Sequence, residues 1–256
     1  MTARAAGFTL PPRRPAQRLG VAVVRDLVEL IVTGQLAEGQ LLPPEGPLSE
    51  HFGVSRTVIR ESVKRLEEKG LVVVAQGRGT QVARTGSWNM LDPVVLSALI
   101  DNDESLGVLD ELTVVRGSLE AAMAGTLASR RTPGELARVE HALAAMREIQ
   151  HETDSFRQAD VVFHFTVMEL SGNRLAENIC KRLYRRAMES NRFHGLTYEH
   201  AFESTLDEHA LVVDAISRQD VVGAERAMRD HIIGSWQRRR LAGPPDEPGP
   251  GGGERE

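Results

Sequence analysis

The sequence has very little cysteine, few aromatic residues and no long hydrophobic run. Cys180 is the single cysteine among 256 residues, so an intramolecular disulfide is excluded and a zinc site would need histidine and carboxylate ligands. Aromatic residues make up 4% of the chain, which leaves core packing to Leu, Val and Ala and favours helices. Neither a membrane-spanning run nor the apolar core of a signal peptide is present. We therefore expect a cytoplasmic protein that has no membrane partner.

The net charge of -5 is unevenly distributed along the chain. Residues 1–86 carry 12 Lys and Arg against 8 Asp and Glu, a charge of +4, and the remainder carries -9. A basic N-terminal part followed by an acidic body is typical of a polyanion-binding module linked to one that does not bind nucleic acid. The chain length accommodates two domains of ordinary size.

The N-terminal part has the order of elements of a winged helix-turn-helix. Apolar spacing and glycine stops predict helices over about 17–33, 47–52 and 55–69. After Gly70, two short β-branched runs on either side of a glycine-rich tip predict a β-hairpin, which would be the wing. We expect this DNA-binding domain to cover residues 16–84, after a disordered Pro- and Arg-rich tail at 1–15.

The rest of the chain is predicted to be an all-α antiparallel bundle over residues 93–241. Residues 85–92 form the expected linker, which ends in Asp92 and Pro93, a good N-cap and first-turn pair. Helices are predicted over about 105–129, 133–150, 154–171, 174–193, 199–218 and 220–240. Thr132, Pro133 and Glu135 predict a capping box at the start of the second of these. Residues 242–256 should be a disordered tail.

The third predicted helix has an apolar face and a cationic face. The inward positions share an i, i+4, i+7 spacing and are Ile59, Val63 and Leu66. The outward positions share an i, i+4, i+8 spacing and are Arg56, Arg60 and Lys64. A cationic stripe that begins at a helix N-terminus is typical of a recognition helix that enters the major groove of double-stranded DNA. A merely solvated face is the alternative, which the surrounding winged-helix order disfavours.

Two further features extend this candidate DNA-binding surface. Ser55 and Thr57, together with the free amides at the helix N-terminus, are suited to hold a phosphate. At the tip of the wing, Gly77 permits a close backbone approach, and Arg78 is placed to enter an adjacent minor groove. A plain hairpin turn is the alternative interpretation of this tip.

These residues resemble a known family. From Gly34 to Val82 the pattern G-x-L-x-x-G-x-x-L-P-x-E, then L-S-x-x-F-G-V-S-R-T-V-I-R-E-S, then G-L-V and G-R-G-T-x-V resembles the DNA-binding domain of the GntR family of bacterial regulators. The resemblance implies base and phosphate contacts at Ser55, Arg56, Thr57, Arg60 and Gly77. Many relatives in the FadR subfamily have arginine where Gly46 stands, so one such contact is missing in this chain.

Four polar residues lie on helical stripes that should be apolar. They are Asp160, His164, His209 and His231. One inward histidine is ordinarily a core residue bonded to the backbone, but four such groups from three helices are satisfied together by one divalent metal ion. The sequence resembles the ligand-binding domain of the FadR subfamily, in which D-x-x-x-H and two later histidines form a metal site. Zinc is expected first, with nickel, manganese or iron as alternatives.

Two further residues are candidates for effector binding. Arg116 lies on a core-facing stripe, where it would pair either with a bundle glutamate or, as the family resemblance implies, with an effector carboxylate. Thr205 lies one turn before His209, and an ordinary half-buried threonine is the alternative there. The segment WNMLDPVVLSALI resembles sugar-acid-responsive, galactonate-type members of the subfamily.

The sequence therefore predicts a homodimeric repressor that binds an inverted-repeat operator and responds to a small carboxylate or sugar acid. Two alternatives remain. The four ligands would also suit a metal-dependent enzyme acting on a small hydroxy acid, although no general base accompanies them. The metal would alternatively be a purely structural staple of the bundle.

Overall fold

The computed structural model describes residues 15–75, 77, 79–149, 153–190 and 201–242. The chain divides into two compact units, residues 1–102 and 103–256. The described ranges contain ten α-helices and one two-stranded antiparallel sheet, which confirms the predicted fold class. No helix in these ranges has the length and apolar character needed to cross a bilayer. The two predicted tails lie almost wholly outside the described residues.

The first unit is built on three helices and a hairpin. They are α1 (Pro15–Val32), α2 (Glu45–Phe52), α3 (Arg56–Glu68), β1 (Val72–Ala75) and β2 (Gly79–Val82). The strands pair antiparallel from Val72 opposite Val82 to Ala75 opposite Gly79. Leu27, Ile59 and Leu66 are at most 1% exposed and lie in one apolar core, so the apolar spacing of α1 and α3 is explained by helix packing.

The segment that follows the wing also belongs to the first unit. The sequence predicts a linker at 85–92 and a second domain from residue 93, but the structure groups α4 (Pro93–Asn102) with the winged helix. Val95 is fully buried in the core of the first unit. Asp92 caps α4 by accepting from the Val94 amide at 2.9 Å, and its carboxylate pairs with Lys69. The sequence displays the apolar residues of α4, but not which core they join.

The second unit consists of six helices around a large apolar core and a smaller apolar cluster. They are α5 (Gly107–Arg130), α6 (Pro133–Glu148), α7 (Thr153–Ser171), α8 (Arg174–Glu189), α9 (Ala201–Ser217) and α10 (Val221–Ala242). The predicted capping box is confirmed, because Thr132 Oγ1 accepts from the Glu135 amide at 3.2 Å and the Glu135 carboxylate accepts from the Thr132 amide at 2.7 Å. The helix ends predicted at 193 and 199 lie outside the described residues.

A glycine requirement of the first unit can be tested at Gly70. Gly70 and Gly34 both have left-handed φ, at 72° and 74°, but a Cβ at Gly70 would lie 2.0 Å from the Ser87 carbonyl oxygen, whereas a Cβ at Gly34 meets nothing within 4 Å. We expect Gly34→Ala to lower the free energy of unfolding by about 1–2 kcal/mol. Gly70→Ala should lower it by a further ~1–3 kcal/mol, because the backbone must shift as well.

Urea denaturation followed by Trp88 fluorescence in a Trp236→Phe background measures both variants, since Trp88 packs on the core of the first unit. Equal losses for the two variants would contradict the close approach of Gly70 to Ser87.

Candidate functional site

The cationic stripe of α3 lies on the surface of the protein. The exposed residues of the stripe and of the helix start are Ser55, Arg56, Thr57, Arg60 and Lys64. Ile59 and Leu66 are fully buried on the opposite face, and Val63 is half-buried. Ser55 is the N-cap, and its hydroxyl accepts from the Val58 amide at 3.4 Å. The stripe is thus available to a partner over more than two helical turns.

At the tip of the wing, Gly77 and Gly79 both have the left-handed φ that glycine favours, at 77° and 86°. Arg78, the other candidate at this tip, lies outside the described residues. The tip therefore has the backbone freedom that a close approach to a nucleic acid requires.

An acidic partner of the stripe was missed by the sequence reasoning. Arg60 Nε donates to Glu45 Oε1 at 2.9 Å, and Arg60 Nη2 donates to Glu45 Oε2 at 2.8 Å. These hydrogen bonds, together with the charges of Arg60 and Arg56, lower the pKa of the Glu45 carboxyl below its ordinary value. The partners are fifteen positions apart on different helices, so no helical spacing relates them.

In the second unit the four predicted metal ligands converge on one point. His231 Nε2 lies 3.2 Å from His164 Nε2 and 3.1 Å from His209 Nε2. Asp160 Oδ1 lies 3.5 Å from His209 Nε2 and 3.8 Å from His164 Nε2. The three histidines are almost fully buried, and all four ligand atoms lie within 4.8 Å of one another.

Two of these three histidines have a glutamate at Nδ1. Glu120 Oε2 lies 2.7 Å from His164 Nδ1, and Glu208 Oε2 lies 2.8 Å from His231 Nδ1. Burial tends to raise the pKa of Glu120, but the charges of Arg116 and His164 outweigh it and lower the pKa to about 2. Since an ionised carboxylate only accepts, the Nδ1 atom of His164 carries a proton, and the lone pair of a neutral ring is then on Nε2.

The donor set fits a divalent cation. Burial lowers the pKa of His231 to about 3 and that of His209 well below its ordinary value, so both rings are neutral, as metal ligands must be. Their Nε2 atoms cannot satisfy each other if both present lone pairs, and the buried Asp160 Oδ1 has no hydrogen-bond partner among the described residues. Zinc bonds of about 2.0–2.2 Å would separate tetrahedral ligands by roughly 3.3–3.6 Å. The observed separations bracket that range.

Arg116 lies beside this cluster. The side chain is buried, its Nε donates to Glu120 Oε1 at 2.8 Å, and its guanidinium lies 4.2 Å above the Tyr184 ring. Within the described residues, Nη1 and Nη2 have no hydrogen-bond partner. A cavity of about 30 Å³ opens beside them and is also lined by Asp160 and His164. Arg116 therefore both pairs with a bundle glutamate and presents its outer nitrogens to the cavity.

Thr205 is not brought into this cavity. It is buried, and its hydroxyl donates to the Ala201 carbonyl oxygen at 2.8 Å, one turn back along α9. The residues lining the cavity beside Arg116 do not include it. In this conformation the structure matches the alternative of an ordinary buried helix threonine.

Three residues of the site were absent from the sequence analysis. They are Glu120, Tyr184 and Glu208. The Tyr184 hydroxyl donates to Asp160 Oδ2 at 3.3 Å. Glu120 follows Arg116 by one turn on the same buried stripe, and this spacing was the signal that could have found it. No equivalent signal exists for Glu208, which is half-buried at the edge of its helix face.

The first unit is a winged helix with an exposed cationic recognition helix, and the second is a helical unit with a buried polar cluster. This combination defines a DNA-binding transcriptional regulator. Residues 19–82 match the family model "Bacterial regulatory proteins, gntR family", and residues 111–234 match the FCD domain. The chain is 33% identical over 218 residues to the galactonate operon transcriptional repressor of Escherichia coli K12, covering 84% of this chain and 94% of that protein. The chain belongs to the GntR family and has an FCD domain after its winged helix.

A second curated relative and a solved structure are also similar to this chain. The Uxu operon transcriptional regulator of Escherichia coli K12 is 30% identical over 234 residues, covering 88% of this chain and 87% of that protein. The solved structure of Lar, which controls expression of the Listeria monocytogenes agr system, covers 91% of this chain and 99% of that chain at 14% identity, with a TM-score of 0.55. This last likeness supports the fold alone. The family consists of transcriptional regulators, so the chain is not an enzyme.

The geometry predicts a graded effect of substitutions on metal binding. We expect His209→Ala to abolish tight binding of Zn²⁺, because it removes a ligand. Glu208→Gln should weaken it by about 10–100-fold, because His231 loses the carboxylate that orients it. His141→Ala, an exposed histidine on α6, is the matched control and should leave the affinity unchanged.

Competition against a chromophoric chelator gives the affinities, with Ni²⁺ and Mn²⁺ titrated in parallel. A Glu208→Gln variant that binds Zn²⁺ as tightly as the parent would show that this carboxylate does not support the site.

Proposed function

We propose that the protein is a repressor whose operator binding is controlled by a small carboxylate or sugar-acid effector at a divalent metal site in the FCD domain. The observation that carries this proposal is the convergence of three histidines and Asp160 beside a buried arginine whose Nη1 and Nη2 have no hydrogen-bond partner in the described part of the chain. The printed names of the relatives, which concern galactonate and Uxu operons, support a sugar acid as the effector class.

The DNA-reading part of the proposal rests on α3 and the wing. Arg56, Arg60 and Lys64 contact base edges or phosphates in the major groove, and Ser55 and Thr57 hold a phosphate at the helix N-terminus. Gly77 and Arg78 approach the adjacent minor groove. One such helix reads only a few base pairs, so we propose a homodimer that binds an inverted repeat of double-stranded DNA.

Base reading by Arg60 predicts a loss confined to one position of the operator. We expect Arg60→Ala to cost about 1–3 kcal/mol of operator affinity and to relax the preference at one base pair of each half-site. Arg65→Ala removes the same charge from an exposed position outside the stripe and should weaken all DNA alike. Operator selection from a randomised half-site, followed by affinity measurement on the selected sequences, distinguishes the two. An unchanged preference in Arg60→Ala would exclude Arg60 from base reading.

Metal binding and effector binding are proposed to share one site. Zinc suits the three imidazoles and one carboxylate best, and nickel, manganese or iron are the alternatives. The bound ion would supply a Lewis-acidic position for an effector oxygen. Arg116 holds the effector carboxylate through Nη1 and Nη2, since Nε is already engaged by Glu120. Thr205 would join them only after its hydroxyl leaves the Ala201 carbonyl.

The same contacts give the proposed site a route to conformational change. Glu120 is hydrogen-bonded to both Arg116 and His164. A displacement of the guanidinium on α5 therefore also displaces the His164 ring on α7. The cavity of about 30 Å³ accommodates one or two water molecules but not a six-carbon acid. Effector entry therefore moves the surrounding helices, and this movement alters the spacing of the two recognition helices along DNA.

Loss of the sensor should leave DNA binding intact. We expect His209→Ala and Arg116→Ala each to bind operator as the parent does but to lose the response to galactonate, the probe chosen from the relatives. Arg138→Ala, which removes an exposed arginine of α6, should keep the response. Operator affinity is measured with and without galactonate and with other sugar acids. Because coupling is reciprocal, operator must change the affinity for galactonate by the same factor in the parent.

Only variants whose helical content equals that of the parent protein are included in this comparison. If both sensor variants respond as the parent does, the metal is a structural staple and the effector binds elsewhere.

A further inference from the structure

The pairing between Arg60 and Glu45 leaves part of the guanidinium unused. Glu45 takes the side of the guanidinium formed by Nε and Nη2, with hydrogen bonds of 2.9 and 2.8 Å. An arginine has five N–H donors, and this side-on fork uses two of them. The remaining donors are both hydrogens of Nη1 and one of Nη2. These form the end-on fork that binds O6 and N7 of guanine with two hydrogen bonds.

The carboxylate of Glu45 is itself held between two helices. Glu45 is the first residue of α2, where a negative charge is stabilised by the helix dipole. Arg60 lies at the fifth position of α3, on the exposed stripe. Arg56 is close enough to contribute to the lowered pKa of Glu45, and a Cβ at Gly46 would lie 3.6 Å from Arg56 Nη2. The Glu45 carboxylate thus lies close to two of the proposed DNA-contacting residues, Arg56 and Arg60.

Stability does not explain this pair. The Arg60 side chain is 71% exposed and that of Glu45 is 39% exposed, and exposed ion pairs contribute little to folding. A carboxylate on a DNA-binding surface also repels the phosphate backbone and lowers the affinity for all DNA. The pair can favour DNA binding if it restricts the orientation of Arg60, because an arginine that is already ordered loses less side-chain entropy when it binds.

We propose that Glu45 is a positioning residue that holds Arg60 with its end-on fork directed at the base edges, and so raises selectivity for the operator over other DNA. The inference rests on the proposed role of Arg60 in base reading. Without Glu45, the guanidinium samples several rotamers and also reaches phosphates. Operator binding then loses the benefit of preorganisation, and non-specific binding gains from the loss of a negative charge.

The test compares the same charge change at two positions of α2. Glu45→Gln and Glu50→Gln each remove one negative charge, but Glu50 is exposed and outside the fork. We expect Glu45→Gln to lower the ratio of operator affinity to non-specific affinity by about 2–10-fold, the equivalent of ordering one long side chain. Glu50→Gln should leave that ratio unchanged. Fluorescence anisotropy with an operator duplex and a scrambled duplex of equal length measures both affinities.

Two further variants separate positioning from charge. Glu45→Asp keeps the charge but shortens the side chain by one methylene, so it should lower the ratio as Glu45→Gln does if the fork matters. In an Arg60→Ala background, Glu45→Gln should have no effect on the ratio, because the residue that it positions is gone. Thermal melting shows whether each variant is folded.

The possible outcomes distinguish the positioning role of Glu45 from base reading by Arg60. If Arg60→Ala lowers the ratio but Glu45→Gln behaves like Glu50→Gln, the positioning role is overturned while base reading by Arg60 stands. A Glu45→Gln effect that persists in the Arg60→Ala background also overturns it. If Arg60→Ala leaves the ratio unchanged, base reading by Arg60 fails, and the positioning role fails with it.

Discussion

Three imidazole nitrogens that point at one another inside a helical bundle impose a constraint on the whole FCD domain. His231 Nε2 lies 3.2 Å from His164 Nε2 and 3.1 Å from His209 Nε2. Burial lowers the pKa of His209 and of His231, which keeps these two rings neutral. When all three rings present their Nε2 lone pairs, these atoms repel one another, and the proposed cation among them would remove that repulsion. The helices α7, α9 and α10 must each be held in register for the cluster to form, and the rest of the site depends on that register.

The supporting carboxylates extend this constraint outward. Glu120 accepts a hydrogen bond from His164 Nδ1 and another from Arg116 Nε, which brings α5 into the same network. Glu208 accepts from His231 and pairs with Arg238. His164 and His231 are thereby each held by a carboxylate that also pairs with an arginine, so a change at either arginine reaches one of these rings through a single side chain. This arrangement links the proposed effector position to the geometry of the proposed metal site.

Local patterns in the sequence predicted most of the fold and the four clustered residues. The capping box at Thr132 and the two faces of α3 depend on neighbours within one or two turns, which the sequence displays directly. Partners from separate helices were out of reach: Glu45 meets Arg60 and Glu208 meets His231 only through tertiary packing. The assignment of α4 to the first unit depends likewise on which core accepts Val95. Polar residues at the edge of an amphipathic helix carry no period that marks them as functional.

The small cavity beside Arg116 has a kinetic consequence. A space of about 30 Å³ that is lined mainly by buried side chains is too small for the proposed sugar-acid effector. If that effector binds here, it enters only when the bundle opens, so its association rate should level off at high concentration, at the rate of opening, instead of rising in proportion. Departure is delayed by the same barrier. A regulator built in this way would average over brief fluctuations in metabolite concentration and respond to those that outlast the opening time of its own helices.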